Sequence, residues 1–290
     1  MTSRTTPTRA RITGAAGFAF VVALAPLLIA SPAAAASPAL AAQPALSAPS
    51  TLPGAATDDL GSRWTEGGLI AKTEGRLFFD VIHDDGTVEP SSCSGTVVDS
   101  PNGSVVATAA HCAGGENYEF IPGYDDGAAP YGTWTVKEVF TTTPVDIFTA
   151  DFAALTLNTL NGKTIQEVVG AQDIAFDGAA SSGTLDIFGY PRERSNQPDD
   201  PYEGKHLIHS SGPKQTDPLG RIGTGSDQSH GSSGGGIFRD FDPATGAGTL
   251  VATNSGHRCA DDACETVDLV MWGTPFDEVM KGLYEQASVA

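Results

Sequence analysis

Residues 93–112 read CSGTVVDSPNGSVVATAAHC. Two runs of β-branched and small residues, Ser94–Asp99 and Val105–Ala109, flank a polar segment, Ser100–Ser104, that holds Pro101, Asn102 and Gly103. Short β-prone runs on either side of turn formers spell a hairpin. Its second strand leads directly into His111, so the hairpin delivers an imidazole to a strand end.

The same pattern extends outward. Arg76–Ile82 (RLFFDVI) is apolar and partly β-branched, and Asp84-Asp85-Gly86 turns the chain. Further strands are predicted at Thr133–Thr141, Phe152–Leu157, Thr184–Gly189, His206–His209, Gly235–Phe238 and Thr249–Asn254, punctuated by Gly and Pro. Many short strands with little helix make the chain all-β, a sandwich or a barrel. One helix is expected, at the end. Thr274 reads as its N-cap, Pro275 as its first residue and Asp277 as the acid three residues on. Phe276, Val279, Met280, Leu283 and Ala287 then form one apolar stripe to pack on a barrel. No repeat at a solenoid period is present.

The N-terminus reads as a secretory signal over residues 1–36. Arg4, Arg9 and Arg11 precede the apolar run GAAGFAFVVALAPLLIA at 14–30, and Ala34-Ala35-Ala36 offers a cleavage site. The run is short for a membrane span, contains Pro26 and has no charged stop behind it. Residues 37–62 are rich in Ala, Pro and Ser and read as a pro-segment or flexible linker. Residues 63–290 make one domain. The chain carries 16 Lys+Arg against 35 Asp+Glu, and loss of three signal arginines takes the formal charge from −19 to −22. Such a charge repels nucleic acid and anionic membrane. Cys93, Cys112, Cys259 and Cys264 are an even set behind a signal, which points to two disulfides. Spacings of 18, 146 and 4 residues do not suit a four-cysteine zinc site. Three connectivities are possible; Cys93–Cys112 with Cys259–Cys264 is the expected one.

Chemistry concentrates at Gly231-Ser232-Ser233-Gly234-Gly235. A serine hydroxyl needs a base to become a nucleophile. Flanking glycines let main-chain N–H groups, here those of Gly231 and Ser233, converge on one point as an oxyanion hole. Taken alone the pentapeptide is weak, because Gly/Ser loops are common. It also fits the G-x-S-x-G elbow of α/β-hydrolases, but that fold needs an acid and then a histidine after the serine. Only 57 residues follow Ser233, His257 is their sole histidine, and no βαβ alternation precedes it. The order His, Asp, Ser remains, with His111 in Thr108–Cys112 and Asp151 heading the apolar run Asp151–Leu155. Asp146, in VDIF, is the runner-up acid.

TAAHC at 108–112 resembles the histidine motif of chymotrypsin-like peptidases, DFAAL at 151–155 their aspartate segment, and GSSGGG at 231–236 their G-D-S-G-G-P. The separations of 40 and 82 residues also suit that family. The 93–112 stretch resembles the family's second strand, hairpin, histidine strand and cysteine pair. FGYP at 188–191 and GTGSDQSHGSSGGG at 223–236 resemble the bacterial secreted branch, which includes the glutamyl endopeptidases. The resemblance covers nearly all of the mature chain. It implies two six-stranded antiparallel β-barrels with a C-terminal α-helix, and a triad of Ser233 as nucleophile, His111 as general base and Asp151 as its orienting acid.

The sequence departs from the family in places. Ser232 stands where most animal members have the Asp that pairs with a new N-terminal ammonium, so that activation switch is not expected. Gly236 replaces a frequent Pro. Asp227 lies six residues before Ser233, where trypsin-like enzymes carry the acid that binds Arg or Lys; the neighbouring Cys of those enzymes is Ser229 here. Glutamyl preference wants a histidine on the strand after the nucleophile, but that strand ends Val251-Ala252-Thr253-Asn254-Ser255-Gly256, with His257 and His230 only nearby. Thr253, Asn254, Ser255 and Gly256 are expected to line a pocket wall, with Asp227 and His230 at the pocket and the Cys259–Cys264 loop at its rim. The preferred side chain stays open.

No cofactor and no metal are expected. His206 and His209 read as surface histidines on opposite faces of a strand, and the acid pairs Asp125-Asp126 and Asp199-Asp200 suit solvated turns as well as weak calcium sites. The reading is a secreted, extracellular, monomeric serine endopeptidase acting on proteins or peptides, binding no nucleic acid and, once the signal is removed, no membrane. Its rivals are a catalytically silent binding or adhesion protein on the same fold, and an esterase using the same triad.

Overall fold

The computed structural model describes residues 60–178, 183–195, 201–260 and 266–290. The signal segment, most of the 37–62 segment, the pair Asp199-Asp200 and Cys264 lie outside the described residues. Residues 60–62 belong to the folded body: the first strand, β1 (Ser62–Arg63), pairs Ser62 with His209.

A short helix, α1 (Ile70–Thr73), leads into six strands: β2 (Glu74–Ile82), β3 (Val88–Val98), β4 (Val105–Thr108), β5 (Glu116–Pro122), β6 (Trp134–Thr141) and β7 (Ala153–Leu157). They close a barrel in the order β2-β3-β4-β7-β6-β5. The expected hairpin is β3–β4, in register from Val98↔Val105 to Thr96↔Ala107, with Gly103 N donating to Ser100 O at 2.9 Å across its turn. Leu77, Val97, Val106, Phe120, Trp134 and Leu155 fill the barrel, each at most 1% exposed. Burial on this scale is worth about 1.5–3 kcal/mol per large side chain before chain entropy is set against it.

The second half adds a capped helical turn, α2 (Ile165–Val169), then β8 (Asp173–Ile174), β9 (Thr184–Gly189), β10 (Ile208–Pro213), β11 (Gln215–Thr216), β12 (Ile222–Gly225), β13 (Gly236–Asp242), β14 (Ala247–Thr253) and β15 (Val270–Gly273). Its main-chain ladders form a six-stranded sheet, β1-β10-β9-β13-β14-β8, and a three-stranded one, β11-β12-β15. One pair, β14 with β8, is parallel. Between the two sheets β10 and β12 are joined by side chains: Ser210 Oγ and Ser226 Oγ are 2.9 Å apart, and Thr224 Oγ1 donates to Pro213 O at 3.2 Å. Leu185, Ile187, Ile222, Ile237, Val251 and Met271 come from both sheets and share one core. A further cluster joins the halves, with Val98, Val105 and Phe152 from one side and Phe188, Phe238 and Phe276 from the other.

The C-terminal helix, α3 (Glu278–Ala287), starts later than predicted. Its N-cap is Asp277, whose Oδ1 accepts from Val279 N and Met280 N at 3.0 Å. Thr274 cannot cap it, because Phe276 N is held by Val251 O at 2.9 Å and the chain is still extended at Asp277. The shift moves Val279 out of the stripe, to 68% exposed, while Met280 and Ala287 are buried and Leu283 and Tyr284 pack beside them. Asn102 Nδ2 and Thr156 Oγ1 both donate to Ala287 O at 2.8 Å, which fixes the helix end on the first barrel. Among the described residues no helix is long and apolar enough to cross a membrane.

Candidate active site

His111 and Asp151 meet because their strands are neighbours. In the β4–β7 pair Thr108 faces Ala153; His111 follows the first by three residues and Asp151 precedes the second by two. A single 3-10 turn over Ala110–Cys112 swings the imidazole back toward β7. Its Nδ1 lies 2.9 Å from Asp151 Oδ2 and 3.1 Å from Oδ1, and the main-chain N–H of His111 donates to Oδ1 at 3.0 Å. The Asp151 side chain is fully enclosed, while that of His111 is 28% exposed. Burial pushes the Asp151 carboxyl upward, but the hydrogen bonds from His111 and the imidazole charge outweigh it and hold the group below the ordinary carboxylate range. Asp146 sits elsewhere, half-buried, with its carboxylate turned to Phe148 N and Thr149 Oγ1.

The turn that carries Ser233 is tied down from both halves. Ser94 N donates to Ser233 O and Ser94 Oγ to Gly231 O, each at 2.8 Å. Gly231 has φ +97°, and a Cβ there would come within 2.7 Å of Tyr190 O. Gly234 has φ +80°, and a side chain would collide with Thr108 Oγ1 and Ser94 O. These two positions therefore demand glycine. Among the described residues no acceptor is paired with the N–H of Gly231 or of Ser233. Ser232 is buried and its hydroxyl donates to Ser229 O at 2.7 Å, which satisfies it locally.

A cavity of about 420 Å³ opens here, and His111 and Ser233 both line it. His230, Ser255, Gly256 and His257 line it too, as do Val267 and Met271. The other expected pocket residues are not among its walls. Thr253 is buried with Oγ1 donating to Asp151 O, and Asn254 is buried with Nδ2 donating to Phe188 O and Ser232 O. The two residues are consecutive, so strand alternation turns them to opposite sides, Thr253 toward Asp151 and Asn254 under the Ser233 turn. Asp227 is fully buried: Tyr202 OH donates to Oδ1 at 2.6 Å, and Arg194 Nη1, stacked on Tyr202, lies 3.2 Å from Oδ2. His257 bridges opposite walls, with Nδ1 2.9 Å from Val270 O and Nε2 2.7 Å from Gln228 O and 3.0 Å from Ser195 Oγ.

Cys93 and Cys112 are bonded, which staples the start of the hairpin to the residue after His111. Cys259 is also disulfide-bonded. The cluster Cys93, His111 and Cys112 has metal-like proximity, but its sulfurs are spent in that disulfide. His206 pairs with Asp125 at 2.6 Å. His209 differs from the surface residue expected: its Nε2 meets Asp186 at 2.8 Å and its ring stacks on Phe188 at 4.5 Å, next to Trp64.

The family model for trypsin matches residues 82–269. The chain belongs to the trypsin family. It is thus a serine peptidase, a hydrolase of the chymotrypsin-like fold. A protease, Anisep from Arthrobacter nicotinovorans, is 30% identical over 76% of this chain and 96% of its own, with a TM-score of 0.64. A thermostable serine protease, AL20 from an extremophilic microorganism, is 29% identical over 77% and 99%, also at 0.64. A Glu endopeptidase is similar in fold, at 18% identity, 81% and 99% coverage and a TM-score of 0.56. No curated protein matches the chain.

Proposed function

We propose that this trypsin-family protein is a secreted, monomeric serine endopeptidase that cleaves proteins or peptides through Ser233, His111 and Asp151. The observation that carries the reading is His111, paired with the buried Asp151, at the edge of the cavity that Ser233 also lines. Asp151 accepts from Nδ1, which leaves Nε2 as the nitrogen able to take the Ser233 proton. The hydroxyl oxygen attacks the scissile carbonyl and its proton moves to His111. The N–H groups of Gly231 and Ser233 donate to the oxygen that becomes negative. His111 then protonates the leaving amine, and water, activated by the same imidazole, hydrolyses the acyl-enzyme.

Substrate side chains would enter between Ser255, Gly256 and His230. A preference for Arg or Lys has little support, because the Asp227 carboxylate is already engaged by Arg194 and Tyr202 and lies outside the cavity lining. Secretion is supported by the sequence of residues 1–36 and by the disulfide-bonded cysteines. Ser232, satisfied by Ser229 O, supports an active turn that needs no ion pair with a new N-terminus.

The test is to incubate wild type and Ser233→Ala with unfolded casein and to sequence the cut ends. Cuts made by the wild type alone, with one class of residue before each, are expected. Ester hydrolysis without protein cleavage would leave an esterase; neither activity, a silent binding protein.

A further inference from the structure

We propose that Asn254 is a positioning residue that aims one oxyanion-hole amide, a role that rests on the reading of Ser233 as nucleophile. The peptide unit between Ser232 and Ser233 is planar and trans, so its C=O and N–H point in opposite directions. Whatever grips the Ser232 oxygen therefore aims the Ser233 N–H. Two donors grip it: Gly235 N at 3.0 Å and Asn254 Nδ2 at 3.1 Å. The first belongs to the same turn and moves with it. Asn254 belongs to the strand end behind the turn and is the external anchor.

The orientation of its amide follows from chemistry. The second partner of Nδ2 is Phe188 O at 2.8 Å, so both partners are carbonyl oxygens and only the NH2 group can face them. The main chain of Asn254 is laced to the same turn, with Gly234 N donating to its oxygen at 2.9 Å and its N–H donating to Gly235 O at 2.8 Å. Its Oδ1 is buried and accepts nothing from the described residues. An orphaned buried acceptor costs stability. A leucine would remove that orphan and keep much of the volume, but it would take the Nδ2 donor from Phe188 O as well as from Ser232 O.

The test compares wild type with Asn254→Leu and, as a smaller variant without steric demand, Asn254→Ser. Folded active sites are counted by titration with a fluorophosphonate, and turnover is measured on a chromogenic peptide amide. The expected result for both variants is kcat per titrated site lower by ~10- to 100-fold, less than the loss of a whole oxyanion donor. KM should move by less than ~3-fold, as for an interaction made only in the transition state. Affinity for a peptide aldehyde, whose hemiacetal oxygen enters the hole, should fall by the factor seen in kcat. The Asn254→Leu melting temperature should stay near that of the wild type. Wild-type kcat and aldehyde affinity in either folded variant, or a loss confined to KM, would overturn the role. A wild type that neither titrates nor cleaves overturns the reading of Ser233 itself, whereas an active wild type with unaltered variants overturns the role of Asn254 alone.

Discussion

Glu74 Oε1 accepts the N–H of Gly236 at 3.1 Å, a bond that runs from the first strand of the closed barrel to the residue just past the Ser233 turn. The same oxygen accepts from Thr96 Oγ1, and Oε2 is buried with no hydrogen-bond partner among the described residues. Enclosure dominates over both hydrogen bonds and pushes the Glu74 carboxyl from 4.5 to about 8. The folded protein therefore keeps this proton through neutral pH, whereas the unfolded chain loses it near 4.5. Stability from Glu74 is complete below pH 4.5, declines as pH rises through the window and is lost above 8. At about 1.4 kcal/mol per unit the decline is of order 5 kcal/mol. Glu74→Gln keeps the acceptor and removes the ionisation. Urea unfolding should give similar stabilities for the two proteins at pH 4 and a clear advantage for Glu74→Gln at pH 9; a constant difference across pH contradicts this.

Asp151→Asn should fold and lower kcat by about 10⁴-fold, because an amide that donates to Nδ1 favours the wrong imidazole tautomer. The Asp151 carboxyl is held low, so its stabilising effect is present above the ordinary carboxylate pKa and is lost as pH falls through the depressed value. The variant should lack that part of acid unfolding. A drop in kcat below about 10-fold would show that Asp151 does not orient His111.

Much of this arrangement is legible in the sequence. The 93–112 hairpin, the strand after Asp151 and the terminal helix each carry local signals strong enough to survive in the fold. The strand β5 is not legible, because it opens on Glu116 and Asn117, both poor strand formers, and Asn117 takes a positive φ. Nor is α2, although Thr164 and Glu167 form a capping box, since five residues are too few for a helical stripe. The fates of Asp227 and Asn254 are set by Tyr202, Arg194, Phe188 and Ser232, residues brought close only by the fold. No spacing rule reports such side-chain partners.

Asp227→Asn tests the pocket. Breaking one side of a buried ion pair costs about 3–5 kcal/mol, so the variant should unfold at lower urea. The residues found before its cuts should be those of the wild type. A selective loss of cleavage after Arg and Lys would place Asp227 in contact with substrate instead.

The Cys93–Cys112 bridge spans a sequence separation of 19. Closing a loop of that size is worth about 3 kcal/mol in the chain-entropy model. Replacing both cysteines with alanine should lower the unfolding free energy by roughly that amount and reduce turnover, since Cys112 adjoins His111. An unchanged urea midpoint would show that the barrel needs no such staple.

The most direct measurement is to treat the mature protein with a fluorophosphonate and locate the adduct by peptide mass. One adduct is expected, on Ser233, formed by the wild type and lost in His111→Ala, with loss of casein cleavage in step with labelling. An adduct on another serine, or equal labelling of Ser233 after His111→Ala, would contradict that expectation.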